Sequence, residues 1–176
     1  MATAHPRYDL PNAAPPPLRI VQEFVNTANL ERENDWLASF FEQERISATA
    51  DELVRAREVR EAIRELLYEN NGFAAAGDGL PTLNRAAREA GLSIDFERGE
   101  LVPSADGVPG AVGRVLAAAF TAMAAGSWKR LKACKNHGCR WAFYDYSRNR
   151  SASWCSMKLC GNRTKTRAYR HRRRTL

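Results

Sequence analysis

The chain has 176 residues, 44% of them hydrophobic, enough for one ordinary domain or for one domain plus a small module, with a packed core and too many apolar residues for wholesale disorder. The opening MATAHPRYDL lacks the basic-then-apolar pattern of a secretory signal. The longest apolar run, Val115–Ala125, falls far short of the roughly 20 residues that span a bilayer, so a soluble cytoplasmic protein without a membrane partner is expected. The net charge of +7 is unevenly placed: twelve Arg and nineteen acids precede Trp128, giving −7, while fifteen Lys or Arg and one acid, Asp145, follow, giving +14. An acidic body joined to a basic end points to a polyanionic partner, although a solubilising tail would give the same charge pattern.

Residues 1–17 contain PNAAPPP and no periodic pattern, and read as a flexible lead-in. Leu18–Thr27 then places Leu18, Val21, Phe24 and Val25 on one helical face. A second helix is predicted around Trp36, Leu37, Phe40 and Phe41. A third starts at the capping box Thr49-Ala-Asp-Glu52 and keeps helical apolar spacing to about Tyr68. Asn70-Asn71-Gly72 and Gly77-Asp78-Gly79 mark a loop, followed by a short helix over Leu80–Ala90 that Gly91 ends. The period then changes: LSIDFE-RG-ELV alternates around Arg98-Gly99, which predicts a β-hairpin. Pro103–Gly110 reads as a loop and Ala111–Ala125 as an Ala-rich packing helix, with Ser127 capping a short helix through Leu131. The fold class is therefore mainly α with a small β-hairpin: a helical domain over 18–127 followed by a basic module over 128–176, each with apolar content of its own.

The four cysteines, Cys134, Cys139, Cys155 and Cys160, are spaced C-x4-C-x15-C-x4-C. In a reducing compartment two matching pairs are read as ligands for one structural Zn²⁺ per chain rather than as free thiols or disulfides. The fifteen residues between the pairs are expected to form a hairpin that brings them together. Four thiolates fill a tetrahedral shell. His137 is thus expected to be a neighbour or a nucleic-acid contact, and no open position remains for catalysis. Trp141, Phe143 and Trp154 are assigned to the small core such a module needs, while Tyr144 and Tyr146 fit either core or base stacking.

After Cys160, the run GNRTKTRAYRHRRR has no apolar stripe. On a helix, Arg163, Arg167, Arg170 and Arg174 share one face, and Lys165, Arg172 and Arg173 widen the positive surface. A helix pinned at one end by a metal ligand could present that surface to DNA.

At these residues the chain resembles the CGNR zinc-finger family. The signature Cys160-Gly161-Asn162-Arg163 is accompanied by Cys134-x4-Cys139-Arg-Trp141-x-Phe143, Asp145, Ser147-Arg148-Asn149 and Trp154-Cys155-Ser156-Met157, together covering 128–174. The body resembles the helical ABATE domain at Phe24-Val25-Asn26-Thr27 and Arg60-Glu61-Ala62, with Gln22-Glu23 where that family's opening usually has Leu-Asp. The resemblance implies a bacterial transcription regulator whose body senses a stress or a small ligand.

Two functional readings follow. The first is a zinc-dependent DNA-binding regulator. Its helical body would bind an effector or a second subunit in a homodimer, with Asn26, Arg60 and Arg64 as pocket candidates; for these three, helix termini and surface ion pairs are the competing assignment. The second is an RNA-binding or ribosome-associated zinc module with a protein-docking body. An enzyme is not expected: the body has no histidine beyond His5, no Gly-rich phosphate loop and no nucleophile motif.

Overall fold

A computed structural model describes residues 12–74 and 77–162. It is a helical body followed by a small cysteine-bearing module. Helix α1, Leu18–Val25, buries Leu18, Val21, Phe24 and Val25 at 0–1% exposure, the face that their spacing predicts. Beyond it, β1 (Ala28–Asn29) pairs antiparallel with β2 (Asn34–Asp35), a ladder too short to show alternation in the sequence. Helix α2 spans Leu37–Gln43 and buries Leu37 and Phe41. The long helix α3, Ala50–Glu69, starts at the predicted capping box: Thr49 Oγ1 accepts from the Glu52 amide, and the Glu52 carboxylate accepts from the Thr49 amide at 2.8 Å.

Helix α4 spans Leu80–Glu89, and the predicted hairpin is β3 (Ser93–Asp95) paired with β4 (Glu100–Val102), Ile94 opposite Leu101. Helix α5 starts earlier than expected, at Gly107, and runs to Ala124. Pro109 does not delay it, because a proline in the first turn lacks only an N–H that no helical carbonyl would receive. At 18 residues α5 is long and apolar enough, by length and composition, to cross a membrane. It is nevertheless the core helix of the body, packed on α1, α4 and β4 with Ala111 and Val115 fully buried. A Cβ at Gly113 would lie 2.7 Å from Ala90 Cβ and 2.8 Å from Pro103 Cβ, so glycine permits this close approach.

A single 3₁₀ turn, Trp128–Arg130, leads into β5 (Leu131–Ala133), which pairs antiparallel with β6 (Ala142–Tyr144). Alternation divides this hairpin between two cores. Leu131, Ala133, Ala142 and Tyr144 join the apolar cluster of the helical body. Phe143, with Trp141, packs on the cysteines. The hairpin therefore contributes to both cores. Tyr144 is a core residue, while Tyr146 is 56% exposed.

Part of the expected lead-in is tied down as well. The Tyr144 amide donates to Asn12 O at 2.9 Å, the Asn12 side chain donates to Cys155 O at 3.0 Å, and Tyr146 Oη donates to Ala13 O at 2.7 Å.

Candidate metal centre

The two cysteine pairs are presented by different local structures. Cys134 follows β5 directly, its amide donating to Trp141 O at 3.0 Å as an extension of the ladder. Cys139 lies just before β6, so the hairpin holds the first pair in its connection rather than lying between the pairs. Asn136 shapes that connection. Its carbonyl accepts from the amides of Cys139 and Arg140 at 2.8 and 3.0 Å, and Arg140 takes the left-handed conformation at φ +44° that turns the chain into β6. Of the second pair, Cys155 precedes and Cys160 lies within a wide helical turn, Met157–Gly161, capped by Ser156, whose hydroxyl accepts from the Leu159 amide. At Gly161 a Cβ would stand 2.7 Å from Met157 Sδ and 3.4 Å from the Trp154 ring, so the turn closes tightly over the cluster.

All four thiols are buried, at 0–1% exposure, and their sulfurs lie within 4.8 Å of one another. The Cys139–Cys155 and Cys155–Cys160 separations are 3.7 and 3.6 Å. A tetrahedral shell with Zn–S bonds of about 2.3 Å has edges of about 3.8 Å. The donor set, its burial and its spacing therefore fit a closed site of the kind a zinc finger carries. Asn136 Nδ2 lies 3.7 Å from Cys160 Sγ and links the two pairs. Hydrogen bonding from Cys134, then from Cys155 and Cys160, draws the Cys139 thiol far below its ordinary range, while contacts with Cys134 and Cys139 push Cys155 far above it. Thiols packed this closely cannot all ionise without a cation among them. His137 stands apart from the cluster, with Nδ1 3.1 Å from Tyr68 Oη.

Beside the cluster lies a buried ion pair. Lys132 Nζ is 2.7 Å from Asp145 Oδ2, with side chains 6% and 0% exposed. Lys132 also donates to the carbonyls of Arg150 and Ala152. Asp145 accepts from the amide and hydroxyl of Ser147 at 2.9 and 2.6 Å and from the Ala152 amide at 3.0 Å. The Arg130 guanidinium donates to the Asp145 and Ser147 carbonyls. Burial works against the Asp145 charge, but the Lys132 and Ser147 hydrogen bonds prevail and hold its carboxyl below the usual carboxylate range.

Two of the three candidates in the body, Asn26 and Arg64, meet this module along one seam, while Arg60 bonds within the body. Asn26 pairs through its side-chain amide with both backbone groups of Ala142. Arg64, fully buried, donates to Glu61 at 2.8 Å, to Val25 O at 2.7 Å and to Arg140 O at 3.0 Å. Arg60 grips Asp35 with both terminal nitrogens, at 2.9 and 3.1 Å, and also reaches Thr27 and Glu61. The competing assignment of helix termini and ion pairs holds in part, since Asn26 caps the end of α1 and both arginines pair with Glu61, but the three side chains themselves are at most 5% exposed.

Sequence reasoning missed other ties. Gln22 donates to Ala142 O at 3.1 Å and accepts from the Ala14 amide. At the end of α3, Asn70 donates to Trp128 O and Leu131 O, and Asn71 to Ala133 O and Ser153 O, all at 2.8–3.0 Å. The paired asparagines were legible only as a loop signal. The basic candidates Arg163, Lys165, Arg167, Arg170, Arg172, Arg173 and Arg174 lie outside the described residues.

Among known protein families, residues 18–127 match ABATE, described as "putative stress-induced transcription regulator". The chain belongs to the ABATE family. Residues 130–173 match the CGNR zinc finger, so the ABATE domain precedes the finger in the chain. No match was found among curated proteins. In this ABATE protein, the Phe24-Val25-Asn26-Thr27 piece is the joint itself: Phe24 is core, Val25 O receives Arg64, Asn26 holds the CGNR finger, and Thr27 receives Arg60.

Proposed function

We propose that this ABATE protein is a zinc-dependent DNA-binding transcription regulator of a bacterial cytoplasm. One structural Zn²⁺ per chain is held by Cys134, Cys139, Cys155 and Cys160. The observation that carries the reading is the buried four-thiol cluster at tetrahedral spacing, set in a segment whose sequence charge from Trp128 onward is +14. A full sulfur shell gives the metal a folding role, fixing the start of the basic run that follows Cys160. Arg163, Lys165, Arg167, Arg170, Arg172, Arg173 and Arg174 are the assigned DNA contacts. The ABATE domain takes the input, a small-molecule effector or a second copy of the chain. Asn26 and Arg64 serve that input as joints to the finger and Arg60 as a brace within the body, since their hydrogen bonds already go to protein groups.

The test is selection of bound sequences from a random duplex pool by the zinc-loaded full chain, followed by salt titration on the enriched site. An enriched motif is expected, with a log–log salt slope of roughly −4 to −5 for four to six neutralised phosphates. Preference for single-stranded RNA over every duplex would replace this reading with the RNA-binding one.

A further inference from the structure

Between β6 and Cys155, the chain carries Tyr146-Ser147-Arg148-Asn149-Arg150-Ser151. The side chains of Arg148, Asn149, Arg150 and Ser151 are exposed, yet the backbone beneath them is held from the buried side. Asp145 fixes Ser147 and Ala152, Lys132 takes the carbonyls of Arg150 and Ala152, and Arg130 takes those of Asp145 and Ser147. The Ser147 hydroxyl accepts from the Ser151 amide at 3.0 Å and the Arg150 amide reaches Ser147 O at 3.2 Å, closing a turn in which Arg150 stands at φ +51°. An ordinary solvated loop needs no buried ion pair underneath it.

The charge balance on this surface is one-sided. Of the eleven arginines described in the body, seven, Arg19, Arg57, Arg60, Arg64, Arg85, Arg98 and Arg114, each pair with a carboxylate. From Trp128 onward the sequence supplies one acid, Asp145, and it is sealed inside against Lys132. Among the described residues, no carboxylate pairs with Arg148 or Arg150. Two unneutralised guanidinium groups, flanked by Asn149 and Ser151, thus project from a backbone that is already ordered. Arg, Asn and Ser side chains are donors suited to phosphate oxygens, and a preorganised loop loses little further entropy on engaging them.

We infer that the Ser147–Ser151 loop is a phosphate-backbone contact for duplex DNA, separate from the basic run after Cys160, with Arg148 and Arg150 as its two charged groups. The inference rests on the DNA-binding reading above and adds a site to it. Each arginine on a phosphate contributes about 0.9 to the log–log salt slope, and the contact is indifferent to base sequence.

The experiment measures affinity of the zinc-loaded full chain for a mixed-sequence duplex across a salt series. It compares the natural sequence, the double variant Arg148→Ala/Arg150→Ala and the double variant Arg148→Lys/Arg150→Lys. Zinc content and thermal midpoint are measured for each. The alanine variant should flatten the slope by about 1.8, to the same extent on unrelated duplexes, with zinc and midpoint unchanged. The lysine variant should restore the slope, because a phosphate responds to charge. An unchanged slope in the alanine variant, with the natural chain binding DNA, overturns the loop assignment and leaves the DNA-binding reading standing. Loss of zinc or of thermal stability in the alanine variant, or failure of lysine to restore the slope, also overturns it by showing a structural role. A natural chain that binds no duplex overturns both.

Discussion

The side-chain amide of Asn26 pairs with the backbone of Ala142 as a neighbouring strand would. Asn26 Nδ2 donates to Ala142 O at 2.9 Å, and Asn26 Oδ1 accepts from the Ala142 amide at 2.8 Å. The contact joins residues 116 positions apart, from the end of α1 to the start of β6, in a fully buried setting. Asn26→Ala would leave the Ala142 amide without its Asn26 partner and the Ala142 carbonyl with Gln22 alone. A loss of about 1–3 kcal/mol is expected. Asn26→Asp should cost more, since it removes the donor and brings a carboxylate against a carbonyl oxygen. Thermal unfolding followed by circular dichroism reads both; an unchanged midpoint in Asn26→Asp would refute the clamp.

Arg64 connects α3, α1 and the finger with one planar group. Removing it by Arg64→Met strands the carbonyls of Val25 and Arg140 and leaves Glu61 with Arg60 alone. Loss of one partner from a buried charged network typically costs about 3–5 kcal/mol. For a chain of this size that is a fall in midpoint of roughly 6–20 °C. Arg64→Lys should rescue little, because an ammonium cannot present the three separated donors of the guanidinium fork. If Arg64 served only a ligand, the ligand-free midpoint would not move.

Metal removal should be felt beyond the finger. Leu131, Ala133, Ala142 and Tyr144 belong to the body's core while Phe143 and Trp141 pack on the thiols, so one hairpin serves both. Cys155→Ser, or chelation of the natural chain, should abolish stoichiometric zinc and also lower the helical melting midpoint. Separate apolar content would have left the body indifferent. Elemental analysis and helical ellipticity on the same samples decide; a body that melts unchanged without metal contradicts the coupling.

Asp145 gives the finger an acid limit. Its carboxyl titrates below the ordinary value of about 3.9, so its stabilising contribution is fully present above that value and is lost as pH falls through the depressed one. Acid also protonates metal-binding thiolates, so a melting curve alone would mix two causes. Carboxyl-carbon NMR separates them: the Asp145 resonance should titrate below those of exposed aspartates, and Lys132→Met should move it upward. A normal midpoint for Asp145 would disprove the internal pairing.

Much of this protein was legible before folding because its signals are local or stoichiometric. Leu18, Val21, Phe24 and Val25 declare their helix by spacing, Thr49 and Glu52 declare a helix start, and Arg98-Gly99 marks a hairpin turn. Four cysteines in two matching pairs announce a ligand set wherever their loops lie, because few other residue types make a sulfur shell. The start of α5 at Gly107 was hidden by prolines and glycines that usually signal a loop, and the β1–β2 ladder was too short to show a period.

What the sequence could not show is which polar residues join the two parts. Asn26, Gln22, Asn70, Asn71 and Arg64 reach mainly for backbone carbonyls of residues 58 to 120 positions away. A charged or apolar side chain leaves its complement visible as another residue type, but every residue carries a carbonyl. Only the tertiary fold, by bringing particular carbonyls of the finger and its approach into a buried seam, decided which of them these side chains would satisfy.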